Sequence, residues 1–246
     1  MMSSVQQVNF HEAVQKQYSF KLKAYHNVIS SLILFQLIGL IISLFGEMST
    51  IMIRHVVITT NYFTGNMIIT FTWLWSLIAS LYLTNRASKN MMFTFVTNKL
   101  TNHLANFLFM LFISLIGSVS AVLLTIAARL IVFLWYGIDK IQLIAPVTLT
   151  ELVITIFATF LYHILIFSFG YAIGEMIQIH KSFVWLVPLL LFTLLILSVN
   201  MFGDDYVFSF YFLETNLWLF IFKVLVSVFL FWVIAMTVGR RLEVRR

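Results

Sequence analysis

Cysteine, proline and charged side chains are all scarce in this sequence. No Cys occurs among the 246 residues, which excludes disulfide bonds and cysteine-ligated metal sites. Only 10% of the residues are charged, against about a quarter in an ordinary soluble domain, and 61% are apolar. The composition therefore excludes a soluble globular enzyme and predicts a chain almost wholly embedded in a membrane.

Sequence motifs for hydrolysis are also missing. The chain has no G-x-x-x-x-G-K-[ST] loop for nucleotide phosphates, no G-x-S-x-G nucleophile elbow and no H-E-x-x-H metal pair. No paired glutamates lie on an apolar segment, as an intramembrane protease requires. We therefore predict no catalytic residue, no metal and no directly bound cofactor. If the protein pumps a substrate, the energy comes from a partner or from an ion gradient.

Long apolar runs fill most of the chain. A helix that crosses a bilayer needs about 20 mostly apolar residues, and backbone in hydrocarbon must satisfy its own hydrogen bonds. Six stretches meet this requirement: 28–46, 66–84, 105–128, 150–174, 183–202 and 215–238. The sequence thus predicts an all-α polytopic protein with six transmembrane helices, forming a single transmembrane domain over residues 1–246.

The cations fix the predicted orientation, because cytoplasmic segments are enriched in Lys and Arg. Eleven of the fifteen cations fall on one predicted side of the membrane, and they are Lys16, Lys21, Lys23, Arg86, Lys89, Lys99, Lys181, Arg240, Arg241, Arg245 and Arg246. Most acids fall on the other side. Both termini are therefore expected in the cytoplasm of a multi-pass plasma-membrane protein. The net charge of +6 is then a sign of topology, and nucleic acid is excluded as a partner.

Two cytoplasmic segments combine cations with apolar residues. Residues 9–26 place Phe10, Val14, Tyr18 and other apolar side chains at helical spacing, which predicts an interfacial amphipathic helix before the first span. The segment after the second span, "NRASKNMMFTFVTNKL", also carries cations around an apolar core. Its apolar face either lies on the inner leaflet or docks a soluble partner. The residues of this second segment that would contact a docked partner are Arg86, Lys89, Met91, Met92, Phe93, Phe95 and Lys99.

Few ionisable residues lie inside the predicted spans, where such residues commonly mark function. His163 either hydrogen-bonds between helices or belongs to a transport path. Glu175 lies near the cytoplasmic end of the fourth span, ahead of a second cytoplasmic turn with His180 and Lys181. Lys223 either anchors the outer end of the sixth span, toward acids of the preceding loop, or contacts substrate.

Two outer segments do not fit simple connectors. The apolar run 107–137 is longer than one crossing requires, and Arg129 is expected at the outer interface, with the residues after it above the membrane plane. The segment "MFGDDYVFSFYFLE" is rich in aromatic residues, and we expect it to dip back into the outer leaflet.

This layout resembles the permeases of type II ABC exporters. The resemblance covers the whole chain and lies in six spans, two cytoplasmic ends and an N-terminal amphipathic helix. It also includes the loop "ASKNMMFTFVTNKL", which is similar to that family's coupling helix, and the turn "GEMIQIHKSFVW". Within the family the chain is most similar to Gram-positive permeases that export, or confer immunity to, amphipathic peptides. The resemblance implies short re-entrant helices between the fifth and sixth spans.

The resemblance implies an ATP-driven exporter of an amphipathic peptide or lipid-like substrate. Its partners would be cytoplasmic ABC ATPase subunits, which bind ATP and Mg²⁺, a second permease copy or homologous permease, and membrane lipid. The alternatives are a gradient-driven secondary transporter and a membrane scaffold that transports nothing. A secondary transporter would favour broken helices and buried acids near the middle of the membrane, and only His163 comes near that description.

Overall fold

A computed structural model gives the fold of the chain. It describes residues 10–53, 56–62, 65–85, 99–137, 148–187, 189, 193, 210–211 and 213–241. The predicted coupling segment from Arg86 to Phe95 and most of the predicted outer re-entrant segment lie outside these residues. Lys99 is described as the first residue of a helix.

Helices form nearly all of the described chain. In chain order they are α1 (Phe10–Ala24), α2 (His26–Ser43), α3 (Asn66–Thr84), α4 (Lys99–Tyr136), α5 (Leu149–Ile179) and α6 (Leu217–Arg241). Five of them, α2 to α6, are long and apolar enough to cross a membrane. This confirms the prediction of a helical, polytopic membrane protein. Of the remaining predicted span, 183–202, only residues 183–187, 189 and 193 are described, and they are helical.

The first helix buries a face that coincides only in part with the one that its apolar spacing marks. Its buried residues are Ala13, Val14, Gln17 and Lys21, whereas Phe10 is half exposed. Gln17 and Lys21 are one turn apart and so share a face of the helix. The buried face of α1 therefore combines the polar Gln17 and Lys21 with Val14, a member of the apolar stripe, while Phe10 at the start of the stripe stays exposed.

An antiparallel β-hairpin follows α2, a feature that the sequence analysis did not predict. Strand β1 (Glu47–Ile53) pairs with β2 (Val56–Tyr62), in a register that sets Glu47 opposite Tyr62 and Ile53 opposite Val56. The two strands are rich in Ile, Val and Thr, whose branched side chains favour extended backbone.

Helix α4 continues without interruption past Arg129 to Tyr136 and ends at Gly137, whose φ is 75°. At 1.5 Å per residue its 38 residues span about 57 Å. This exceeds the roughly 30 Å of bilayer hydrocarbon, so α4 extends beyond the hydrocarbon by several turns.

Side chains cap the N-terminal ends of α5 and α6. At the start of α5 the Thr148 N–H donates to Glu151 Oε2 at 2.9 Å, and the Glu151 N–H donates to Thr148 Oγ1 at 3.2 Å. This reciprocal pair satisfies two backbone donors at the helix end. At the start of α6, Asn216 Oδ1 accepts from the Trp218 N–H at 3.0 Å.

The chain divides into two compact units. Unit 1 contains Met1–Lys23, Leu77–Met110 and Ile164–Arg246; unit 2 contains Ala24–Ser76 and Leu111–His163. Helices α3, α4 and α5 each contribute one part to each unit.

Close helix contacts in both units depend on glycine. In unit 1, a Cβ added at Gly170 would lie 2.0 Å from Ser80 Oγ, and one at Gly174 would lie 2.0 Å from Thr84 Oγ1. Residues 170 and 174 form a small-xxx-small pair, which lets α5 approach α3 closely. In unit 2, a Cβ at Gly39 would lie 2.9 Å from the Ile68 Cα, so α2 and α3 also meet at backbone distance.

Candidate functional site: a buried polar network in unit 1

A cationic side chain is buried in unit 1. Lys21, near the end of α1, is only 2% exposed. Its Nζ donates to Asn102 Oδ1 at 2.8 Å and also to Asn106 Oδ1. Both acceptors belong to the first two turns of α4, where their spacing of four residues places them on one face. Lys21 therefore ties the N-terminal helix to the start of α4.

The hydrogen bonds continue to α5 through a tyrosine. Asn106 Nδ2 donates to the Tyr171 hydroxyl at 2.8 Å, and His103 Nδ1 lies 2.8 Å from the same oxygen. Because the hydroxyl accepts from Asn106, its own proton is best directed at His103 Nδ1, which assigns the Nε2–H tautomer to His103. We call Lys21, Asn102, His103, Asn106 and Tyr171 the Lys21 network.

Aromatic packing surrounds the Lys21 network. The Trp232 ring of α6 stacks on Tyr171, with centroids 4.8 Å apart and planes 21° apart, and meets His103 edge to face. Trp232 Nε1 donates to Ser168 Oγ at 3.3 Å. A Cβ at Gly239 would lie 3.0 Å from His103 Nε2, so α6 approaches this histidine closely. The network is thus enclosed by α1, α4, α5 and α6.

Burial changes the acid–base behaviour of the lysine. Desolvation disfavours the charged ammonium and lowers the pKa of Lys21 from its ordinary value of 10.5 to about 7. The neutral amine and the ammonium can both donate to the two Asn oxygens, so the hydrogen bonds survive deprotonation. Lys21 is therefore a group whose charge can change near neutral pH while it holds α1 in place.

The residues singled out near the C-terminal end of α5 occupy different environments. Glu175 is fully buried, one turn after Tyr171. His180 and Lys181 are exposed in the turn that follows α5, where His180 Nδ1 accepts from the Ser182 N–H at 3.2 Å.

The ion pair of α6 lies elsewhere in unit 1. Lys223 Nζ is 2.6 Å from Glu214 Oε2, donates to the Phe210 backbone oxygen at 3.1 Å and lies 4.3 Å from the centre of the Phe210 ring. The hydrogen bond from Lys223, helped by one from the Asn216 backbone, lowers the pKa of Glu214. This geometry suits a helix-end anchor, one of the two roles considered for Lys223.

His163 belongs to a separate polar cluster in unit 2. Its ring is 1% exposed, and Nδ1 lies 3.5 Å from the Ser114 backbone oxygen. Within the described part of the chain, Nε2 has no hydrogen-bond partner. Nearby, Gln36 Nε2 donates to Ser120 Oγ at 2.9 Å and to the Gly117 backbone oxygen at 3.3 Å. The cluster joins α2, α4 and α5 without a charged group among these residues.

Sequence reasoning missed the Lys21 network. It placed Lys21 among the orienting cations and did not single out Asn102, His103, Asn106 or Tyr171. One signal was present: two asparagines four residues apart, at the polar-to-apolar border of a predicted span, form a paired amide face. The partner of that face could not be predicted from the sequence, because Lys21 lies 81 positions from Asn102 and 85 positions from Asn106 along the chain.

Comparison of the chain with protein-family models, with curated proteins and with solved structures yields no match in any of the three.

Proposed function

We propose that the chain is the permease subunit of an ATP-driven exporter that moves an amphipathic peptide or lipid-like substrate out of the cell. Hydrolysis of ATP takes place in a separate cytoplasmic ABC ATPase. Five apolar helices, the cation distribution and the resemblance of layout support the proposal. Two permease copies would form the substrate path.

The observation that carries the proposal is the position of the Lys21 network. Asn102 and Asn106 lie three and seven residues after Lys99, where α4 begins, and the proposed ATPase-docking segment, residues 86–99, leads directly into that helix. A force applied to this segment reaches the two asparagines within two helical turns. From there, hydrogen bonds lead to α1 through Lys21 and to α5 through Tyr171. An exporter needs such a connection between its motor and several spans.

The test removes the aromatic side chains of the docking segment. A central aromatic is the usual hot spot of a protein interface, and its loss costs on the order of 2 kcal/mol or more, roughly thirtyfold in affinity. We expect Phe93→Ala or Phe95→Ala to uncouple the ATPase while the permease still inserts normally. Lys89→Ala, which removes a flanking cation of the same segment, should have a smaller and salt-dependent effect. Co-purification of the ATPase measures its binding to each variant, and transport-linked ATP hydrolysis measures coupling.

A lipid-bound segment gives the opposite result. On a lipid surface only apolar area matters, so both alanine variants would keep full ATPase binding and coupling. That outcome would refute the docking role of residues 86–99.

The proposed orientation has its own test. Single Cys residues can be introduced into this Cys-free chain and labelled with an impermeant reagent in intact cells. We expect labelling at positions 204 and 205 and none at 89 or 245 before lysis. Labelling at position 89 in intact cells would reverse the orientation and remove the docking segment from the cytoplasm.

One observation favours a second function, gradient-driven transport. His163 is an ionisable residue buried inside a predicted span, where such residues commonly mark function, and its Nε2 has no hydrogen-bond partner among the described residues. Dissipating the proton gradient at constant ATP distinguishes the two mechanisms. Transport that stops under these conditions supports the gradient-driven mechanism, and transport that continues supports the ATP-driven exporter.

A further inference from the structure

An apolar groove of about 700 Å³ lies in unit 1, apart from the Lys21 network. Three sets of side chains line it. They are Phe169, Ile173 and Met176 of α5, Phe231 and Ile234 of α6, and Phe183, Leu186 and neighbours in the helical stretch after α5. We call it the α5–α6 groove. Its size falls within the roughly 300–1,000 Å³ of ordinary ligand pockets.

The groove offers almost nothing to a polar ligand. Thr193 is its only polar lining residue in the described part of the chain. Phe169 and Phe231 meet edge to face with ring centroids 5.3 Å apart, so the α5 and α6 walls touch there. Leu186 and Leu189 are more than half exposed, which leaves the groove open along one side. Hydrocarbon is the ligand that such a lining selects.

Two polar residues, His180 and the cation Lys181, directly follow the α5 wall of the groove. Residues 169, 173 and 176 recur at helical spacing on the lining face of α5, and His180 follows directly after the helix ends at Ile179. The turn at 180–182 joins two walls of the groove, because the Phe183 N–H donates to the His180 oxygen at 3.2 Å. His180 Nδ1 accepts from the Ser182 N–H at 3.2 Å, which leaves Nε2 as the outward donor. His180 and the adjacent Lys181 are both exposed.

We propose that the α5–α6 groove binds an anionic phospholipid, with an acyl chain along the apolar walls and the phosphate at His180 and Lys181. An apolar slot with a cation at one end is complementary to an amphiphile with an anionic head. In the orientation proposed above, this end lies at the inner leaflet. The lipid is a resident ligand, and its binding requires neither the ATPase nor transport.

The test compares two neighbouring positions on α6. Ile234 lines the groove, whereas Val233 is 36% exposed and does not line it. The purified full chain is titrated with phosphatidylglycerol or with phosphatidylcholine of the same chain length, and bound lipid is counted by native mass spectrometry. We expect the wild type to retain phosphatidylglycerol preferentially. Ile234→Trp fills the groove and should lower its affinity about tenfold or more, whereas Val233→Trp should stay close to wild type.

The head-group contact is tested by charge removal. Lys181→Ala should reduce the preference for phosphatidylglycerol roughly three- to tenfold, whereas Lys16→Ala, an exposed cation on α1, should not. If Ile234→Trp does not fold, Ile173→Trp fills the groove from the opposite wall and should give the same loss.

Four results would overturn the proposal. The first is equal retention of both lipids, and the second is unchanged lipid affinity in a folded groove-filling variant. The third is equal losses in Val233→Trp and Ile234→Trp. The fourth is a groove-filling variant that dissociates a dimer while lipid binding persists, since the groove would then be a contact between copies. All four are read on the isolated permease, so they are independent of the fate of the exporter proposal.

Discussion

The burial of Lys21 predicts that the attachment of α1 depends on pH. When α1 leaves its site, Lys21 enters water and regains its ordinary pKa of 10.5; when α1 is docked, burial holds the pKa at about 7. Between these two values the undocked state binds more protons, so docking strengthens as the pH rises from about 7 to 10.5. Below about 7 both states are protonated, and the penalty for burying the ammonium is complete.

The expected size of the effect follows from these two pKa values. Linkage over the interval from pH 9 to pH 6 weakens docking by about 3 kcal/mol, on the order of a hundredfold in the opening equilibrium. Hydrogen exchange of the α1 amides measures this equilibrium once the rates are corrected for the intrinsic pH dependence of exchange. Nanodiscs of neutral lipid keep the surface pH equal to the bulk pH.

Two methionine variants isolate the buried amine. Lys21→Met keeps an unbranched side chain of similar length but cannot titrate, so the pH dependence of α1 protection should disappear. Lys23→Met removes an exposed cation two residues away and should keep the full pH dependence. His103 remains in both variants, so any pH dependence left in Lys21→Met belongs to other groups. The reasoning is wrong if wild-type protection does not change with pH, or if it changes equally in Lys21→Met.

The remaining predictions concern helix packing and the α6 ion pair. Gly174→Ala should lower the thermal unfolding midpoint in detergent, because overpacking against Thr84 costs about 1–3 kcal/mol, against a gain of ~1 kcal/mol in helix propensity. Thr84→Ala should restore part of the loss, since it removes Thr84 Oγ1, 2.0 Å from the added Cβ, but keeps the Thr84 Cβ at 2.8 Å. Lys223→Arg should keep assembly and transport, because both side chains extend to the interface. Since the hydrogen bond from Lys223 lowers the pKa of Glu214, the pair should stabilise the fold above about pH 4.5 and lose that effect as Glu214 protonates at lower pH. Glu214→Gln should remove this acid-side change.

Each of these expectations has a contrary result. If Gly174→Ala melts like wild type, or if Thr84→Ala restores none of the lost stability, the close contact between α3 and α5 does not limit stability. A selective loss of transport in Lys223→Arg with normal assembly would assign Lys223 to the substrate path. If Glu214→Gln loses as much stability at low pH as the wild type, other carboxyl groups dominate that loss.

Sequence reasoning worked best where the bilayer itself dictates structure. The predicted span 66–84 coincides with α3, because hydrocarbon thickness sets the length of an apolar helix and polar residues flank this one. It failed for the β-hairpin after α2. That segment is not a continuous apolar run, and β propensity depends too strongly on context to be read from a short stretch.

The faces of the helices were harder to predict than the helices themselves. On α1 the apolar spacing suggested a stripe that begins at Phe10, yet the face that packs on protein carries Gln17 and Lys21. Burying a lysine is unfavourable unless particular partners receive it, and those partners come from a helix some 80 residues away. A single sequence shows that Asn102 and Asn106 form a pair but not which cation they meet.

The position of the Lys21 network allows the proposed docking segment, residues 86–99, and the network to be separated by experiment. Phe93 and Phe95 belong to a proposed binding surface, so their loss should release the ATPase. Lys21 binds to α4 only after that helix has begun, so Lys21→Met should leave ATPase binding intact. If Lys21→Met also preserves transport-linked hydrolysis, the network holds α1 in place and transmits nothing. If hydrolysis loses its link to transport while the ATPase stays bound, the force from the docking segment passes through the hydrogen bonds of Lys21 to Asn102 and Asn106.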